Sequence, residues 1–160
     1  MRSKHCNIGF APLCMLLVCA AALAVTGCSK KLTRTQAISH YSQELREAVS
    51  TNVPDERRKA EMLLIVDQLE ALQHRFNQET ANFVESYRKL NADYDTPRPA
   101  FDQLFSDYGA KRIKARNEAL DVHFHLASLA TAGEWNTIGK AETKLYEEVN
   151  AARPAEESTK

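Results

Sequence analysis

The chain has no cysteine after position 28; its four cysteines are Cys6, Cys14, Cys19 and Cys28. A disulfide framework and a thiolate metal site are therefore both excluded for everything downstream. Glycine and proline are scarce too. Beyond Cys28 only Gly109, Gly133 and Gly139, and Pro54, Pro97, Pro99 and Pro154, break the sequence. A glycine-rich phosphate loop is absent, and punctuation this sparse predicts a few long helices. Basic and acidic side chains balance at 21 each, so no net charge calls for nucleic acid or an anionic surface. Serine, histidine and aspartate all occur, but none in a nucleophile turn.

What is present begins at the N-terminus. Arg2, Lys4 and His5 form a short basic stretch, an apolar run follows from Phe10 to Val25, and small residues close it. That is the order of a secretory signal. The run is shorter than the roughly 20 apolar residues of a spanning helix, and Pro12 interrupts it. Val25-Thr26-Gly27-Cys28 resembles the lipobox of bacterial lipoproteins. The resemblance implies a signal peptide over 1–27, a mature N-terminus at Cys28 carrying diacylglyceryl and acyl chains (palmitate), and attachment to the periplasmic face of a membrane. Two or more chains hold stably where one is marginal. Ser29, which is not aspartate, implies the outer rather than the inner membrane by the sorting rule of enteric bacteria. Loss of Arg2 and Lys4 leaves the mature chain two charges acidic.

The remainder suits one all-α domain over 34–152, joined by a tether over 28–33 and followed by a polar tail over 153–160 expected to be disordered. Four helices follow from caps and periodicity. The first starts at Thr33, whose spacing to Gln36 is that of a capping box; it carries Ile38, Tyr41, Leu45 and Val49 on one face and stops at Thr51-Asn52. The second opens with Pro54, Asp55 and Glu56. Its seam runs Met62, Ile65, Leu69, Leu72, Phe76, Phe83, Tyr87 and Leu90, and ends near Asp93. Heptad spacing is kept from Met62 to Leu90, but Glu79 and Ser86 occupy intermediate positions, so the seam weakens in its second half.

The third helix follows Thr96-Pro97-Arg98-Pro99, with a stripe of Phe101, Leu104, Phe105, Tyr108, Arg112, Ala119, His123, Leu126 and Ala130. Thr131 and Glu134 form a second capping box, with Gly133 expected in the turn. A last helix carries Trp135, Ile138, Leu145 and Val149. Antiparallel packing of two short and two long helices predicts a partial four-helix bundle with a protruding helical hairpin, roughly Leu72 to Arg112. Seven of the eleven aromatic residues after Cys28 fall in that hairpin. They either bury area between its two helices or receive a partner. The candidate partner-binding residues are Phe83, Tyr87, Tyr94, Phe101, Phe105 and Tyr108.

Candidate chemistry is thin. His123 and His125 are two apart and point to different sides of a helix. Asp121 and His125 share a face and are expected to form a solvated pair rather than a metal site. His40 and His74 read as lone, partly buried side chains. Arg57-Arg58-Lys59 reads as a solvated face with local pairs. No catalytic residue, cofactor or metal is expected. The resulting expectation is a non-catalytic binding or scaffold lipoprotein whose hairpin engages an envelope protein or a second copy. Leu129-Ala-Thr-Ala-Gly-Glu-Trp, within 54–150, loosely resembles Spy-type periplasmic helical proteins, which implies a chaperone or a stress or metal sensor. It departs from their Leu-Thr-x-x-Gln signature, and no functional residues transfer. Lys160 resembles the terminal lysine of the major murein lipoprotein, which implies a peptidoglycan-linked structural protein.

Overall fold

The computed structural model describes residues 31–152. The expected signal over 1–27, the expected lipidation site Cys28 and the tail over 153–160 lie outside the described residues. Among the described residues there are four helices, in order α1 Arg34–Asn52, α2 Glu56–Ala92, α3 Arg98–Leu129 and α4 Ala132–Ala151.

Each helix starts where local chemistry can satisfy its first amides. Thr33 is extended and its hydroxyl accepts from the Gln36 amide, while the Thr33 amide donates to Gln36 Oε1 at 3.0 Å. Thr131 and Glu134 repeat this box at α4. Gly133 sits inside the first turn of α4 rather than in the connection. At α2 the cap is Asp55, whose carboxylate accepts from the Arg58 amide at 2.8 Å. Pro54 stands before the cap instead of opening the helix, because the side chain able to accept a hydrogen bond is Asp55. Pro97 heads α3 with no side-chain cap, and Pro99 falls in the first turn, where a missing N–H costs nothing.

Consecutive helices run antiparallel. Ser39 meets His74 and Arg46 meets Asp67 between α1 and α2. Thr80 meets Tyr108 between α2 and α3, and Lys144 pairs with Glu44 between α4 and α1 at 2.7 Å. At 1.5 Å per residue, the 19 and 20 residues of α1 and α4 span about 30 Å and the 37 of α2 about 55 Å. About 25 Å of α2 and its partner α3 therefore stand beyond the bundle as a hairpin.

The core lies wholly in the bundle. Ile38, Leu45 and Val49 of α1, Met62, Ile65 and Leu69 of α2, and Ile138, Leu145 and Val149 of α4 are buried together. The α2 seam is buried only as far as Leu72, and no residue from 73 to 125 is buried. Of the stripe expected along α3, Leu126 alone is buried. The reason is in the pairing: α1 packs on α4 and on α2, and α2 packs on α3, whereas α3 and α4 have little backbone contact. α3 is thus bound mainly along one side.

Arg58 fastens the closed end. Its guanidinium donates to Leu129 O and to both oxygens of Glu134, each at 2.9 Å. The residue expected on a solvated face instead ties the start of α2 to the end of α3 and the cap of α4. This forked pair and the Thr131 amide hold the Glu134 carboxyl down to about 2. A depressed carboxyl stabilises the fold above its unfolded value near 4.5, and that contribution is lost as pH falls toward 2. Acid titration of stability followed by circular dichroism is expected to show a loss across this window that is smaller in Glu134→Gln. An unchanged profile would remove Glu134 as its source.

Candidate functional site

The hairpin aromatics form one ladder between α2 and α3. Phe83 stacks on Tyr108 with centroids 4.1 Å apart and tilts against Phe105 at 5.6 Å. Tyr87 meets Phe101 edge-on at 6.2 Å and Phe105 at 6.0 Å. Phe76 lies parallel to Tyr108, whose hydroxyl hydrogen-bonds Thr80 Oγ1 at 3.0 Å. Five of the six candidate residues are therefore brought together, and ring contact is what holds two helices where no third covers them. Phe105 and Tyr87 still leave 51% and 39% of their surface exposed. Among the described residues Tyr94 joins no ring pair, and it is fully exposed in the turn at the tip.

A second feature lies where the hairpin leaves the bundle. Because α3 and α4 do not close on each other, a trough runs between them with a cavity of about 520 Å³. Leu72, Phe76, Ile113, Ala119 and Tyr146 supply apolar walls, and Arg112 and Arg116 stand on its α3 side. A smaller cavity of about 300 Å³ continues it, sharing Arg116, Ala119 and Tyr146. Sequence reasoning missed this site. The run Lys111-Arg112-Ile113-Lys114-Ala115-Arg116 was its visible signal, hidden by a neutral total.

At the inner end of the trough, Glu142 is buried on α4. Its Oε2 lies 2.8 Å from His123 Nδ1, and its Oε1 is buried without a hydrogen-bond partner. Burial pushes the carboxyl up, and His123 pulls it part of the way back. The His123 ring is held edge-on to Trp135 at 5.6 Å. Burial, with the Glu142 charge adding to it, also pushes the Tyr146 hydroxyl up. Residue 142 occupies the seam position between Ile138 and Leu145, where a leucine would pack. Glu142→Leu is expected to stabilise the fold by about 1–3 kcal/mol, since an apolar side chain removes a buried, half-satisfied carboxyl. Chemical denaturation tests this, and a loss of stability would mean that the His123 bond outweighs the burial cost.

Among the described residues the remaining histidines each find a glutamate. His125 faces Glu61 of α2 at 3.8 Å, in place of the expected Asp121. His40 and His74 pair with Glu44 and Glu70, four residues away on their own helices. Among the described residues no three histidine, cysteine, aspartate or glutamate side chains converge as a metal site. No helix among them is long and apolar enough to cross a membrane. Nothing among protein-family models, curated proteins or solved structures matches this chain.

Proposed function

We propose that this protein is a lipid-anchored, non-catalytic binding module of the bacterial cell envelope, held at the periplasmic face by Cys28 and using the hairpin as its arm. The outer membrane is the favoured site of attachment. The observation that supports the arm most is its placement: a two-helix projection of about 25 Å, with Tyr94 fully exposed at its tip. The bundle supplies the rigid base.

The tether refines the kind of partner. Arg34, the first residue of α1, donates to Val149 O near the end of α4, so the chain enters the bundle at the end from which the hairpin leaves. Thr33 is five positions after Cys28, a reach of at most about 18 Å. That is shorter than the hairpin. An anchored domain therefore carries its arm close to the bilayer, and its partner is an envelope protein exposed at the membrane surface.

In-cell photocrosslinking tests the reading, with a photoreactive residue at Tyr94 and a control at Lys140 on α4. One dominant heterologous adduct from Tyr94 alone is expected. Many products from both positions would favour a general chaperone, and adducts between copies would assign the arm to self-association; either outcome overturns the dedicated-partner reading.

A further inference from the structure

We infer that the trough between α3 and α4 is a binding site for one anionic amphiphile, such as a free fatty acid, its acyl chain in the apolar cavity and its head group between Arg112 and Arg116. Three observations converge on that class. The cavity of about 520 Å³ has the size of a small-ligand site, and such sites are mostly apolar with a few polar groups that fix orientation. It is elongated: with its 300 Å³ continuation it follows α3 from Gly109 to His123, about 21 Å along the helix. A linear chain fits that form better than a compact ring.

The charges specify the head group. Arg112 and Arg116 are four apart on the same face of α3 and both line the cavity. The only hydrogen-bond acceptor contacting Arg116 among the described residues is Asn117 Oδ1 at 3.5 Å, and no carboxylate pairs with either guanidinium. Arg75 on α2, by contrast, is paired with Glu118 of α3. Two uncommitted forked donors at the rim of an apolar cavity suit a carboxylate or phosphate. They also separate a free amphiphile from the acyl groups proposed on Cys28, which carry no anionic head. Ile113 is 58% exposed on the same wall, a surface that an acyl chain would cover. This inference does not rest on lipidation of Cys28, so either can fail alone.

The test is photolabelling of the full chain in isolated membranes with a diazirine analogue of palmitate, alongside the matching fatty alcohol. Adducts are expected on the trough, at residues such as Phe76, Ile113 and Tyr146. Ala119→Phe, which fills the cavity, should abolish them. Arg112→Gln with Arg116→Gln, both on exposed side chains, should reduce labelling by the acid about tenfold and leave labelling by the alcohol unchanged. Adducts scattered over the surface, or retained in Ala119→Phe, would overturn the site. Equal loss of acid and alcohol in the arginine variant would overturn the head-group assignment. Labelling that appears only in Cys28→Ser would give the trough to the chain's own lipid and overturn the free-ligand proposal.

Discussion

Cys28→Ser is expected to abolish incorporation of labelled palmitate altogether. On the proposed lipoprotein reading, Cys28 is the only one of the four cysteines of the sequence left after cleavage at position 27, so no second cysteine compensates. The physical consequence is equally large. Each buried methylene of an acyl chain contributes about 0.8 kcal/mol, and stable anchoring needs at least two chains. No described helix could replace them as a membrane span. With residues 1–27 exchanged for an ordinary cleavable export signal, the serine variant is expected in the soluble periplasmic fraction, and the parent in the membrane. Palmitate label retained in Cys28→Ser would remove the lipoprotein reading.

Leu126→Ala is expected to cost about 3 kcal/mol, within the 2–5 kcal/mol usual for a buried leucine, and to lower Tm by about 10 °C. Leu126 is fully buried and is the one buried residue of α3. Its side chain joins the core formed by α1, α2 and α4, so a cavity there loosens the attachment of α3 to the bundle. Leu120, on the same helix but 45% exposed, gives the contrast: its alanine variant should fall within about 0.5 kcal/mol of the parent. Equal effects at the two positions, read by thermal and chemical denaturation, would mean that α3 is held elsewhere.

The sequence revealed what depends on near neighbours. Thr33 with Gln36 and Thr131 with Glu134 are three apart, so their capping boxes were legible. The Met62-to-Leu72 seam was legible from its spacing, and unequal helix lengths implied the hairpin. The fading of the α2 seam also had a visible cause in Glu79 and Ser86. His40 with Glu44 and His74 with Glu70 obeyed the same four-residue rule and could have been found with it.

What escaped depends on which helices meet. The stripe on α3 has the same pattern whether or not α4 closes over it, so periodicity could not reveal the trough. Arg58 reaches Glu134 across 76 residues, and His125 turns to Glu61 on α2 rather than to Asp121 on its own helix. Glu142 is intermediate. Its seam spacing to Ile138, Leu145 and Val149 was visible, but a charged side chain at such a position is ordinarily solvated, and only the tertiary packing buries it.

Amide hydrogen exchange on the native chain tests the account's central claim, a bundle holding all the buried core with a hairpin arm that carries none. The account predicts the strongest protection over 62–72 and 138–149, and markedly weaker protection over 78–91 and 100–110, where ring contacts and the Thr80–Tyr108 hydrogen bond join two helices that bury no residue between them. Protection of the hairpin equal to that of the bundle, at every protein concentration, would contradict it: the molecule would then be one cooperative rod, with no separable arm to offer a partner.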